Sequence, residues 1–138
     1  MERELIEKAR KLINANYIST TLSTVDKDYN VNIAVISVLE MIGDDMIIAA
    51  RFGAEKTYAN LKETGKGVLM VLLADESRQT KEGIRVYIKL QDDLTAGDFY
   101  DRIKQRFKGS NYGNLPLKNC LVFKILKILP VSLLKKEE

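Results

Sequence analysis

The sequence has no histidine and no tryptophan among its 138 residues, and it has a single cysteine and only two prolines. The missing imidazole excludes Ser–His and Cys–His catalysis, histidine-ligated zinc and histidine-ligated haem. The lone thiol, Cys120, cannot form an internal disulfide or a thiolate zinc site, so we expect an intracellular chain without a bound metal. Any chemistry must therefore come from carboxylates, lysines, tyrosines or a bound cofactor.

Features that would direct the chain to a membrane or to nucleic acid are also lacking. No apolar segment follows the charged start at residues 1–4, which argues against secretion, and no run reaches the length of a membrane span. The net charge is only +3, and its basic residues are scattered among acidic ones, so we expect no nucleic-acid partner. A composition with 46% hydrophobic and 30% charged residues is typical of a globular protein. We expect one cytoplasmic domain over residues 1–138.

Hydrophobic periodicity predicts a mainly β protein with flanking helices. The predicted strands are residues 17–25, 31–41, 46–50, 68–74, 84–90 and 121–128. The predicted helices are residues 2–15, 55–62 and 98–108, the last with Asp98 as its N-cap. Loops are expected at residues 64–67, 75–83 and 109–114, and Pro130 should stop the last strand or limit it to an edge position. Short turns at 26–30 and 42–45 predict an antiparallel meander, and about six such strands predict a small antiparallel β-barrel.

The helix predicted at Glu55 begins in an unusual way. No Ser, Thr, Asp or Asn precedes Glu55 to accept hydrogen bonds from the first free N–H groups. Lys56 lies in the first turn, where the helix dipole disfavours a cation. A bound phosphate would resolve both points by contacting the N–H groups, Lys56, Thr57 and Arg51. The alternative is an ordinary surface helix in which Glu55 offsets the dipole and Lys56 is solvated.

Other candidate positions allow two interpretations each. Asn32 lies in an apolar strand, so its amide either faces solvent or contacts a partner such as a planar polar ligand. Ala49 and Ala50 end a strand of larger residues, so they allow either close approach of a ligand or tight packing. One face of the strand at 84–90 carries Arg85, Tyr87 and Lys89. This face could line a substrate surface, although a solvated face is the simpler interpretation.

The order of elements resembles a known family. The segments YISTTLSTVDKDYNVNIAVISV, MIIAARFGAEKTYANLKETGKGVLMVLL and IRVYIKLQDD resemble the FMN-binding split-barrel proteins of the pyridoxamine 5′-phosphate oxidase-like family, above all its small FMN-binding proteins. The resemblance covers about residues 4–134. It implies a split barrel in an obligate-type homodimer, with FMN at the subunit interface.

The resemblance also implies a cofactor site. In the family a Lys-Thr pair holds the FMN phosphate, which matches Lys56 and Thr57 here. The preceding strand end and the strand before it lie near the isoalloxazine ring, which matches Ala49, Ala50 and Arg51, and Asn32, Ile33 and Ala34. Many members have a hydroxyl or aromatic residue where this chain has Ile33 and Ala34. The oxidases' C-terminal Arg/His substrate motif is missing, so pyridoxamine phosphate oxidation is not expected.

These observations predict a dimeric FMN flavoprotein. The flavin would carry hydride or electrons to or from a small-molecule redox substrate or electron donor, while the protein supplies position and electrostatics. No catalytic residue is assigned. Two alternatives stay open: a split barrel that binds another phosphorylated cofactor such as a deazaflavin, and a cofactor-free structural or sensing dimer.

Overall fold

The computed structural model describes residues 2–15, 20–74 and 80–131. This part of the chain forms three helices: α1 (Arg3–Asn14), α2 (Glu55–Thr64) and α3 (Asp98–Lys108). It also forms seven strands, which are β1 (Thr21–Val25), β2 (Val31–Val35), β3 (Leu39–Ile42), β4 (Met46–Arg51), β5 (Lys66–Ala74), β6 (Thr80–Leu94) and β7 (Asn119–Val131). The predicted mainly β fold with flanking helices is confirmed.

All neighbouring strands pair antiparallel, in the order β2-β1-β5-β6-β7-β4-β3. The two edge strands of this order, β2 and β3, follow each other in the chain. The four residue steps from Val35 to Leu39 span at most about 14 Å. In a flat sheet, six inter-strand spacings would separate the two edges by about 29 Å. The sheet must therefore roll up, and its edges meet where the chain passes from β2 to β3.

The prediction of one strand over residues 31–41 is wrong, because β2 and β3 are separate strands at opposite edges. The Ile36 N–H donates to the Thr20 carbonyl at 3.0 Å, and the Val38 carbonyl accepts from the Ala50 N–H at 3.0 Å. The segment between them thus moves from the side of β1 to the side of β4. The expected meander through residues 17–50 is wrong for the same reason, since only β1–β2 and β3–β4 pair as hairpins there.

The predicted loop at residues 64–67 is also wrong. Helix α2 continues through Thr64 and ends at Gly65, whose φ of 74° is left-handed and whose N–H donates to Leu61 O at 2.9 Å. Strand β5 begins directly at Lys66. At Gly67 in this strand a Cβ would lie 2.9 Å from Leu22 Cδ1 and 3.2 Å from Ser23 O, so a larger residue would require the Leu22 side chain to shift.

Further element boundaries differ from the prediction. Gly97, not Asp98, occupies the N-cap position of α3. Strand β6 begins at Thr80, inside the loop expected at 75–83, and runs to Leu94; residues 17–19 and 75–79 lie outside the described residues. Pro130 does not stop β7, where it pairs with Ile84 of β6. Since β4 pairs with β7 only as far as Lys124, β6 is the one strand of the described residues that pairs with β7 at Pro130, which confirms the local edge position.

Two apolar clusters lie on opposite faces of the sheet. The inner cluster joins the buried face of α1 (Ile6, Ala9, Leu12, Ile13) to the barrel interior. The outer cluster packs Ile103 and Phe107 of α3 against β4 and β7. Strand β4 alternates between the clusters, with Ile47 and Ala49 in the first and Ile48 and Ala50 in the second. The continuous apolar run of β4 is thereby explained, and the predicted buried strand is confirmed.

Strand β5 was also expected to be covered on both faces. Its inner residues Leu69 and Val71 are fully buried, but Val68, Met70 and Leu72 on the outer face are only half-buried. That prediction is wrong for the single chain.

Among the described helices, none is both long and apolar enough to cross a membrane.

Candidate functional site

Helix α2 begins without a side-chain cap. Its N-cap residue, Ala54, is in the left-handed conformation with φ 56° and ψ 50°, and no side chain of the described residues caps the helix. A non-glycine residue in this region is strained by about 1–3 kcal/mol. Tyr58 donates its N–H to Ala54 O at 2.9 Å, so the N–H groups before Tyr58 precede the helical ladder. The absence of a conventional cap, predicted from the sequence, is confirmed.

Lys56 and Thr57, the predicted phosphate-binding pair, point in different directions. The Lys56 side chain is 59% exposed, and its Nζ lies 3.7 Å from Asp26 Oδ2 in the β1–β2 turn. Hydrogen bonds within this turn, led by the Asn30 backbone, hold the pKa of the Asp26 carboxyl below its ordinary value. Thr57 is only 2% exposed. The lysine thus lies at the surface while the threonine faces the protein.

Asn32 lies against Thr57. Its Nδ2 donates to Thr57 Oγ1 at 3.0 Å, and its strand register with Thr24 places it on the inner face of β2. The interpretation of Asn32 as an outward, solvated residue is therefore wrong. Ala34 faces inward beside Leu22, whereas Ile33 points outward with 66% of its surface exposed. Asn32 and Thr57 are thus brought together by β2 and α2.

An apolar pocket opens beside the start of α2. It encloses about 90 Å³ between the ends of β2 and β4 and the first turn of α2. Four predicted site residues line it, namely Ala49, Ala50, Arg51 and Thr57. The other four, Asn32, Ile33, Ala34 and Lys56, do not. The other lining residues include Ser37, Phe52 and Tyr58, none of which was a candidate site residue in the sequence analysis.

The backbone of β4 is already engaged at the pocket. The Ala50 N–H donates to Val38 O, and Ala49 pairs with Leu39 on one side and Leu121 on the other. Both alanines are almost fully buried. Their small side chains therefore serve tight packing between neighbouring strands and also form part of the pocket wall.

Arg51 is held at the pocket edge by several contacts. Its Nε donates to Asn119 Oδ1 at 2.6 Å, and its Nη1 donates to Gly53 O and to Glu55 Oε1, each at 3.2 Å. The guanidinium carbon lies 3.8 Å from the centre of the Tyr58 ring, in cation–π contact. The side chain is only 11% exposed. Arg51 is thus a fixed part of the pocket wall.

The charge balance at the helix start is mixed. Glu55 Oε1 accepts from Lys118 Nζ at 2.7 Å as well as from Arg51. Lys118 and then Arg51 hold the pKa of the Glu55 carboxyl below its ordinary value, so Glu55 is ionised at neutral pH. Its negative charge lies between Arg51 and Lys118, while Lys56 is the exposed cation of the first turn, with Asp26 as its acidic neighbour. In the described residues no cluster of His, Cys, Asp or Glu could hold a metal ion.

Comparison with solved structures identifies the family. The structure of an FMN-binding protein from Syntrophomonas wolfei subsp. wolfei is 72% identical in sequence, covers 98% of this chain and 91% of its own, and superposes with a TM-score of 0.91. The chain belongs to the FMN-binding split-barrel family. This membership confirms the resemblance to pyridoxamine 5′-phosphate oxidase-like proteins. No family model matches the sequence, and no curated protein matches it.

More distant split-barrel structures share the fold alone. An F420 reductase is 15% identical over 86% of this chain and 94% of its own, with a TM-score of 0.61. A putative flavin reductase with a split barrel domain from Shewanella frigidimarina is 12% identical over 92% of this chain and 77% of its own, with a TM-score of 0.54.

The residues of this split barrel fit a phosphorylated flavin. The uncapped N–H groups at the start of α2 and the Lys56 ammonium, which lies outside the pocket lining, are donors of the kind that an anion requires. The pocket beside them is mostly apolar, as an aromatic ring system requires.

A second, more polar cavity adjoins this pocket at Ser37, lined also by Arg106, Ser110 and Tyr112.

Proposed function

We propose that the protein binds FMN and uses it in redox catalysis or electron transfer with a small-molecule substrate or electron donor. The observation that carries this proposal is the uncapped start of α2, which opens onto an apolar pocket lined by Arg51 and Thr57. FMN supplies the hydride or electron transfer when bound. The chain's own residues bind the phosphate, shape the pocket and set its charge.

Thr57 is prepared for a phosphate by its contact with Asn32. Because Thr57 Oγ1 accepts from Asn32 Nδ2, the Thr57 hydroxyl proton stays free to donate elsewhere. A phosphate oxygen is a suitable acceptor, and the bond to a charged group is stronger than one between neutral groups. Lys56 adds a positive charge from the surface side. Thr57 therefore orients the FMN phosphate, and Lys56 neutralises its negative charge.

A second copy of the chain completes the site in this proposal. The pocket of one chain encloses about 90 Å³, whereas small-molecule sites typically have roughly 300–1,000 Å³. Strand β2 exposes a row of large apolar side chains, with Val31, Ile33 and Val35 at 69%, 66% and 64% exposure. A neighbouring apolar groove of about 620 Å³ contains Val68, Tyr87 and Leu126. Such a surface is typical of a protein–protein interface, and a homodimer would cover it.

The visible absorption spectrum of the purified protein, recorded before and after addition of FMN, tests the proposal. We expect a flavin spectrum, or its appearance on reconstitution, and FMN should bind more tightly than riboflavin because only FMN carries the phosphate. Replacing Lys56 by Ala should release the flavin, whereas the exposed helix residue Lys11 should tolerate Lys11→Ala. A Lys56→Ala protein that stays fully yellow would contradict the assignment.

The same hydrogen-bond donors would bind the phosphate of any phosphorylated cofactor, so a deazaflavin is the second candidate. An F420 reductase has this fold, which is the observation that keeps the candidate in view. Titration with FMN and with a deazaflavin cofactor separates the two by relative affinity. A colourless protein that takes up neither would instead support a cofactor-free structural or sensing dimer.

A further inference from the structure

Four side chains from four different elements form a closed ring of contacts at the edge of the pocket. Asp93, near the end of β6, accepts hydrogen bonds from the Tyr58 hydroxyl of α2 and from Asn119 Nδ2 of β7. Asn119 Oδ1 accepts from Arg51 Nε of β4, and the Arg51 guanidinium lies over the Tyr58 ring. The ring therefore runs from Arg51 through Asn119, Asp93 and Tyr58 back to Arg51.

The sheet brings these residues to one place. Arg51 pairs directly with Asn119 in the β4–β7 register, and Asp93 pairs with Leu121, two residues further along β7. Arg51 and Tyr58 line the pocket, whereas Asp93 and Asn119 do not. Asp93 thus touches the pocket only through its neighbours.

The orientation of the Asn119 amide is determined by its two partners. Its NH₂ group faces the Asp93 carboxylate and its oxygen faces the Arg51 guanidinium, so a flipped amide would oppose both partners. Asn119 is nearly fully buried, which excludes water as a substitute partner. Removal of the Asp93 acceptor would therefore loosen Asn119 and, with it, Arg51.

Asp93 is charged in the folded protein. Burial opposes its ionisation, but the hydrogen bonds from Tyr58 and Asn119 and the charge of Lys62 at 3.5 Å together keep the pKa of Asp93 below its ordinary value. A carboxylate with acceptor capacity on both oxygens can hold Tyr58 and Asn119 at the same time. A neutral amide at this position has only one acceptor oxygen.

We propose that Asp93 is a positioning residue that acts through Asn119 and Tyr58 to hold Arg51 and the Tyr58 ring as a rigid wall of the cofactor pocket. This inference rests on the proposed FMN function. An arginine side chain loses rotamer entropy when it is fixed. The ring of contacts imposes that cost when the protein folds, before any cofactor binds.

Asp93→Asn tests the proposal, with Asp44→Asn as the matched control. Asp44 also forms ion pairs, with Arg3 and Arg10, but it lies in the turn at the opposite end of β4. The first measurement uses the protein without cofactor: hydrogen exchange at Arg51 Nε, followed by NMR. We expect this exchange to become about tenfold faster in Asp93→Asn, as when a hydrogen bond is lost, and to stay unchanged in Asp44→Asn.

The second measurement is a double-mutant cycle on the dissociation constant for FMN. Asp93→Asn should weaken FMN binding about tenfold, the usual size of a loss of supporting contacts. In an Arg51→Gln background the same change should weaken FMN binding by a clearly smaller factor, because its route through Arg51 is gone and only the direct contact of Asp93 with Tyr58 remains. Equal effects in both backgrounds, or no effect on FMN, would overturn the proposal.

The two measurements separate the inference from the proposed function. If the unmodified protein fails to bind FMN, the proposed function is overturned. If Arg51 Nε exchanges equally fast in Asp93→Asn and in the unmodified protein, the positioning role is overturned whichever cofactor binds. Faster exchange together with a non-additive loss of FMN affinity supports both.

Discussion

Asn32 Nδ2 donates a hydrogen bond to Thr57 Oγ1 over 3.0 Å, which joins strand β2 to the first turn of helix α2. The two residues are 25 positions apart in the sequence. Thr57 is only 2% exposed. Since its Oγ1 accepts from Asn32, the Thr57 hydroxyl proton stays free to donate to another group.

Asn32→Ala should weaken FMN binding but not riboflavin binding. The lost hydrogen bond has a net value of about 0.5–1.5 kcal/mol, which corresponds to roughly 2- to 12-fold in affinity. The ratio of FMN to riboflavin dissociation constants measures this effect, because only FMN has the phosphate. Asn114, exposed in the loop before β7, provides the control Asn114→Ala. An unchanged ratio in Asn32→Ala would show that Thr57 does not depend on Asn32 for phosphate binding.

Ile33→Asp should convert the proposed dimer into a monomer. Ile33 is at the centre of the exposed apolar row of β2, and a buried, unpaired carboxylate at an interface is strongly disfavoured. Size-exclusion chromatography with light scattering measures the change in mass, and FMN affinity should fall with it. Leu115 is also an exposed apolar residue, but it lies on the loop after α3, so Leu115→Asp serves as the control. If Ile33→Asp has the same mass as the unmodified protein, β2 is not the interface.

Glu40→Gln should destabilise the protein at neutral pH and lose this effect in acid. Glu40 accepts two hydrogen bonds from Arg102, at 2.8 and 2.6 Å, and these lower the pKa of Glu40 below its ordinary value of 4.5. A carboxyl whose pKa is lower in the folded state stabilises the fold above the unfolded pKa, and this contribution is lost as the pH falls through the folded value.

Urea unfolding of Glu40→Gln and of the unmodified protein, compared from pH 7 to pH 3, measures the effect. The unmodified protein should have the higher midpoint at pH 7, and the difference should shrink below pH 4.5. Glu7 faces Arg3 at 3.3 Å, but both side chains are more than half exposed, so Glu7→Gln should change little. A constant difference at every pH would show that the Glu40 charge is not responsible.

Cys120 should not react with Ellman's reagent in the folded protein. The thiol is fully buried, and burial raises its pKa to about 11, so almost no thiolate exists at pH 8. The same protein in concentrated urea should release one equivalent of the coloured product at the rate of a free cysteine. Rapid reaction without denaturant would mean that the core around β7 and α3 opens readily.

Local features of the site could be predicted from the sequence, because they depend on residues adjacent in the chain. The missing cap before Glu55 and the position of Lys56 in the first turn can be read from adjacent residues in the sequence. The structure confirms the uncapped start. The apolar face of α1 follows from periodicity, and the burial of β4 on both faces follows from its continuous apolar run. The split of residues 31–41 into β2 and β3 could not be predicted, because the apolar pattern continues across the break while the partner strand changes.

The sequence by itself determined that this protein has no imidazole for catalysis or metal binding and that its second helix begins without a conventional cap. Only the tertiary structure decided that Asn32 contacts Thr57 and that Asp93 and Asn119 hold Arg51 against Tyr58. These pairs are 25 to 68 residues apart in the chain. The orientation of each side chain depends on which strands become neighbours in the rolled sheet, and strand pairing is a non-local property that no short stretch of sequence encodes.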